Sequence, residues 1–180
     1  MRLPFLKHLI DSVSALCKPD RIIVVGSSSL LPLSPHLGNP GQPLEFSLDA
    51  DLLIDPVDQS IADMLKEAIG SESLFEERHG YYADILRPVI GEALPAGWES
   101  RLHPVAGYTN VFALDIYDLG LVKLMVGREK DLDLLRGLLQ MNLIEPTRLR
   151  QHYQNCPLGE REAVIAGRNL NVLLKEFGPS

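Results

Sequence analysis

The stretch Arg21-Ile22-Ile23-Val24-Val25 sets the strongest constraint on the fold. Apart from Arg21 it is apolar and β-branched throughout, which suits a buried strand. Gly26-Ser27-Ser28-Ser29 ends it. Before it, Leu3, Leu6, Ile10, Val13 and Leu16 recur at helical spacing and predict an amphipathic helix over 3–17. Lys18-Pro19-Asp20 breaks that helix.

Downstream, Pro32, Pro35, Gly38, Pro40, Gly41 and Pro43 predict a loop over 32–43. Phe46 to Ile54 reads as a second strand, closed by Asp55-Pro56. Residues 58–69 read as a helix with Ile61, Met64, Leu65 and Ile69 on one face and Gly70 at its end. Residues 81–86 read as a third strand, 88–109 as mostly irregular and 110–114 as a fourth strand. The character then changes. Helices are expected over 116–126, 129–142, from Pro146, and over about 158–176. The layout predicts an α+β fold: a small mixed sheet with flanking helices in residues 1–114, and a C-terminal helical region in 115–180 packed on that core.

At 180 residues this is one domain, or a domain with a small helical appendage. The hydrophobic share of 46% and charged share of 23% exclude a disordered chain. The net charge of -7 excludes an overall basic nucleic-acid binder. That charge is uneven. Residues 1–120 carry 8 basic and 17 acidic side chains, net -9, whereas residues 121–180 carry 9 and 7, net +2. Cys17 and Cys156 form no CxxC pair, so the expectation is a reduced, cytoplasmic protein with no zinc site. No apolar run reaches the roughly 18 residues of a membrane span, so no membrane partner is expected. Lys7, His8 and Asp11 interrupt the first apolar segment, which makes it a poor signal peptide. His8, His36, His79, His103 and His152 show no metal-ligand spacing.

Asp49 and Asp51 are two apart on an expected strand, so both carboxylates project from one face. Like charges held close favour a cation between them, and magnesium takes one or two carboxylates together with water and phosphate oxygens. An isolated Asp-x-Asp is more often the pattern of a solvated strand end. Gly26 allows close backbone approach to a ligand, and the amides and hydroxyls of the following serines can hold phosphate oxygens. The same residues also make an ordinary serine-capped turn. Asp84 interrupts an apolar strand, as a functional acid or as an edge residue facing water. Lys123 stands among Leu121, Val122, Leu124 and Met125, and Arg128 and Lys130 flank a turn. They can meet phosphate as point charges, or simply snorkel to solvent.

In order, these pieces resemble the DNA polymerase β-type nucleotidyltransferases. More narrowly, they resemble small uncharacterised bacterial nucleotidyltransferases related to the abortive-infection and toxin–antitoxin enzymes. Val25-Gly26-Ser27-Ser28-Ser29-Leu30, Ser47-Leu48-Asp49-Ala50-Asp51-Leu52 and Tyr117-Asp118-Leu119 through Lys123 to Gly127-Arg128-Glu129-Lys130-Asp131 carry the resemblance. His79-Gly80-Tyr81-Tyr82 and the stretch Leu94 to Leu102 add to it. Gly26 and Asp49 stand 23 positions apart, a longer gap than the compact superfamily spacing.

The resemblance implies metal-dependent transfer of NMP from a nucleoside triphosphate to an acceptor hydroxyl on RNA, a protein or a small molecule. Asp49, Asp51 and Asp84 would bind Mg2+ (or Mn2+), with Asp84 also helping to deprotonate the acceptor. Gly26, Ser27 and Ser28 would hold the nucleotide, and Lys123, Arg128 and Lys130 would neutralise its β,γ-phosphates. It also implies a toxin held by an antitoxin. The alternative is a catalytically inactive nucleotide-binding or interaction module on the same fold.

Overall fold

The apolar run 21–25 is the middle strand of a five-stranded sheet. In the computed structural model, which describes residues 1–178, strands β1 (Arg21–Val25), β2 (Asp49–Asp55), β3 (Tyr82–Leu86), β4 (His103–Pro104) and β5 (Val111–Ala113) lie in the order β3-β2-β1-β5-β4. β1 pairs antiparallel with β2 and parallel with β5, while β2 pairs parallel with β3. Ile22, Ile23, Val24 and Val25 are all buried, as a strand enclosed on both sides requires.

The chain divides into two compact units, Met1–Ala93 with Leu102–Leu114, and Leu94–Arg101 with Asp115 onward. The first holds the sheet and helices α1 (Leu3–Cys17), α2 (Gln59–Ile69) and α3 (Leu74–His79). Leu6, Leu9, Ile10 and Val13 bury one stripe of α1, and the helix stops where Lys18 turns left-handed before Pro19. Asp58 caps α2 by accepting the Ile61 N–H at 2.8 Å. The sequence does not signal α3. It lacks any buried residue and is held by the Ser73 cap and the left-handed Gly80. The second strand starts three residues later than expected. Phe46 and Leu48 are exposed, and the Cα pairing of β2 with β3 begins at Asp49 opposite Tyr82.

The second unit holds α4 (Ile116–Val126), α5 (Glu129–Gln140), α6 (Pro146–Asn155) and α7 (Glu160–Phe177). α4 packs against each of the other three. Leu119, Leu121 and Leu124 are buried, and so are Asp118 and Lys123. Asn169 of α7 donates to the Leu124 carbonyl at 2.9 Å, satisfying one of the last carbonyls of α4.

Residues 94–101 group with the helices, and Arg101 ties them there. Its guanidinium grips the fully buried Asp118 carboxylate at 2.8 and 2.7 Å, and donates to the Ala96 carbonyl at 2.9 Å. His152 Nε2 donates to the same carboxylate at 2.8 Å. Burial alone would raise the Asp118 pKa; the hydrogen bonds from His152 and Arg101 outweigh burial and hold it low. Cys17 and Cys156 are both free thiols. Among the described residues no helix is long and apolar enough to cross a membrane.

Candidate active site

The acids of the first unit meet because of register. Across the parallel β2–β3 pair, Asp49 lies opposite Tyr82, Ala50 opposite Ala83, and Asp51 opposite Asp84. Side chains alternate, so Asp49, Asp51, Tyr82 and Asp84 share one face. Ala50 and Ala83 occupy the other face and are buried. Beyond the acids Leu52, Leu53 and Ile54 are buried on both faces, so an apolar stretch follows Asp51 along β2. Asp49 and Asp51 are half-buried; Asp84, on the edge strand, is exposed.

Tyr82 reports the field of this face. Burial first, then the charges of Asp49, Glu76, Asp84 and Asp51, push its hydroxyl above the ordinary tyrosine range. The four carboxylates therefore bear on a common region.

Gly26 closes the site from β1. Val25 is the Cα partner of Asp51, so the turn that follows β1 starts beside that acid. Gly26 has φ +58°, and a Cβ placed on it would lie 1.8 Å from Asp51 Oδ2 and 2.8 Å from its Cγ. Only glycine permits this approach. Gly26→Ala therefore displaces Asp51 as well as straining the backbone. The expected result is a folded protein less stable by about 1–3 kcal/mol that loses about a hundredfold in any Asp51-dependent activity. The melting penalty should shrink in an Asp51→Ala background, where Cγ and both oxygens are gone. Additive penalties in calorimetry would contradict the contact.

The serines of this turn have separate fates. Ser28 and Ser29 are buried, and their hydroxyls donate back to the carbonyls of Val25 (3.3 Å) and Gly26 (2.8 Å). They hold the turn. Ser27 is half-buried, and of the three it has its side chain left for a ligand.

The basic candidates lie in the second unit. Lys123, which reads from sequence as a phosphate ligand or a snorkelling chain, is nearly buried and donates to Asp131 Oδ1 at 2.8 Å. Arg128 reaches the same carboxylate through Nε at 2.7 Å and Nη2 at 3.2 Å, and its backbone N–H donates to Asp131 Oδ2 at 3.3 Å. Asp131 is 1% exposed. Burial would raise its pKa, but the bonds from Arg128 and Lys123 outweigh that and hold it low. Lys130 is exposed. Gly26, Ser27, Asp49, Asp51 and Asp84 thus belong to one cluster, and Lys123, Arg128 and Asp131 form another.

A divalent cation fits the first cluster by chemistry. The donors are all hard carboxylate oxygens, two on one strand face and one in register beside them, and magnesium needs only one or two such ligands beside water and phosphate. Among the described residues, no group of three or more His, Cys, Asp or Glu side chains is placed to hold a metal ion.

A family model described as a nucleotidyltransferase of unknown function, DUF6036, matches residues 3–158. The chain belongs to that family. No curated protein and no solved structure gives a significant match. The matched span includes the turn at Gly26, all three acids of the sheet face and the Lys123–Asp131 pair.

Tyr82 was not singled out by sequence as a site residue. Its signal was available: it stands two before Asp84 on the same strand, hence on the same face. The Lys123–Asp131 pair carries no comparable signal, because it joins two helices across a turn.

Proposed function

We propose that this protein transfers NMP from a nucleoside triphosphate to an acceptor hydroxyl in a metal-dependent reaction. The observation that carries the reading is the contact of the Gly26 turn with Asp51, with Asp84 in register beside it. The turn can hold phosphate through backbone N–H groups and the Ser27 hydroxyl. Asp49 and Asp51 would hold Mg2+ (or Mn2+) against the phosphates. When bound, the ion supplies positive charge to a phosphoryl group that the carboxylates alone would repel. Asp84, exposed at the sheet edge, can accept the proton of the incoming hydroxyl. The acceptor oxygen bonds to the α-phosphorus, the bond from that phosphorus to the oxygen bridging to the β-phosphate breaks, and pyrophosphate leaves with the electron pair.

The test is a panel of the four labelled nucleoside triphosphates with magnesium or manganese, offered total RNA, then protein, then small hydroxyl compounds. Metal-dependent label transfer with pyrophosphate release is expected. Triphosphate binding without release from any acceptor would favour a second reading, a nucleotide-binding module without turnover. One observation supports that reading: the three acids share a face without forming a three-ligand group. A toxin role is proposed on the resemblance alone. It requires growth arrest on expression, relieved by an antitoxin and absent in an Asp49→Ala/Asp51→Ala variant.

A further inference from the structure

Of the five tyrosines, four have an engaged hydroxyl. Tyr81 pairs with His8 Nδ1 at 2.7 Å, Tyr108 donates to Asp11 at 2.8 Å, Tyr117 accepts the Glu145 N–H at 3.3 Å, and Tyr153 donates to the Ala163 carbonyl at 3.0 Å. The fifth, Tyr82, has no hydrogen-bond partner for its hydroxyl among the described residues. It is also the tyrosine that stands on the acid face, opposite Asp49 and two residues before Asp84.

Strand propensity accounts for an aromatic ring at this position. It does not account for the hydroxyl, because a phenylalanine would fill the strand as well. What the hydroxyl adds is a neutral donor. The carboxylates beside it only accept when ionised, so they cannot hydrogen-bond an anion. A phenol can, without adding charge of either sign.

We infer that Tyr82 is a substrate-positioning residue whose hydroxyl donates to a non-bridging phosphate oxygen of the nucleotide held at the acid face. This rests on the nucleotidyltransferase reading above and names a contact within that site. The contact is to phosphate, so it discriminates triphosphate from nucleoside and is indifferent to the base.

Isothermal titration with the four α,β-methylene nucleoside triphosphates in magnesium tests it, comparing wild type with Tyr82→Phe and Tyr82→Ala. Removal of one hydrogen bond to a charged oxygen is expected to weaken triphosphate binding about tenfold or more in Tyr82→Phe. Binding of the matching nucleoside and the melting temperature should stay unchanged. Wild-type binding retained in full by Tyr82→Phe overturns this inference and leaves the reading of the site intact. A wild type that binds none of the four triphosphates overturns both. A Tyr82→Phe protein that melts early shows that the hydroxyl serves the fold, and also overturns the assignment. Tyr82→Ala should weaken binding at least as much as Tyr82→Phe; a weaker effect would count against the contact.

Discussion

Asp51→Asn should abolish pyrophosphate release while leaving the protein folded. Asp51 is half-buried and sits where the Gly26 turn, β2 and β3 converge. The amide keeps the shape of the side chain, so β2 should keep its pairing and the melting curve should stay close to wild type. It removes the negative charge that a divalent cation needs. Loss of a group that organises charge around a transferring phosphoryl is worth about a hundred- to thousandfold, and loss of a direct metal ligand belongs at the upper end. Magnesium should also raise the melting temperature of the wild type, because a cation that binds only the folded state stabilises it. It should do so little or not at all in Asp51→Asn. Release of pyrophosphate by the variant at the wild-type rate would remove Asp51 from the mechanism.

The largest stability effect is expected at Asp131. Its carboxylate sits 1% exposed and accepts from Lys123 Nζ at 2.8 Å. Asp131→Ala leaves the Lys123 ammonium nearly buried without its counter-charge, which costs about 3–5 kcal/mol. For a chain of this size that lowers the melting temperature by about 10 °C. Arg128→Ala should cost under about 1 kcal/mol, because the Arg128 side chain is 57% exposed and its pairing is screened. Lys123→Met/Asp131→Leu should recover much of the loss, since well-packed apolar residues replace a buried pair at small cost. An Arg128 variant less stable than the Asp131 variant would refute this ranking.

The same carboxylate gives a pH signature. Its folded pKa lies below the unfolded value of about 4. Its stabilisation is therefore complete above pH 4 and is lost as pH falls through the lower folded value. Asp118 acts in the same direction. Unfolding free energy should fall steeply from about pH 4 downward, and less steeply in Asp131→Asn, as denaturant titration at several pH values will show.

What was legible in the sequence follows from which forces act locally. The helix at Leu3–Cys17 and the strand at Arg21–Val25 coincide with their expected bounds, because spacing, proline and β-branching all act over a few residues. That Asp49 and Asp51 share a face was legible for the same reason. That Asp84 joins them was available only through the family resemblance, because a register 33 positions away along the chain is set by pairing between strands. The contact of Gly26 with Asp51 and the capture of Lys123 by Asp131 are likewise tertiary. The short helix at Leu74–His79 escaped because it buries no apolar stripe and so leaves no periodic pattern.

The antiparallel register of β1 and β2 has a consequence for how such chains are found. Twenty-three positions separate Gly26 from Asp49, yet pairing of Val25 with Asp51 holds the two parts of the site together. The intervening segment is bridged at its root by the ladder, so its length is decoupled from the geometry it spans. A search pattern that demands a fixed gap between glycine-serine and Asp-x-Asp would pass over this chain. One that leaves the gap open, and instead asks for an apolar strand before the glycine and another after the second acid, would retrieve it.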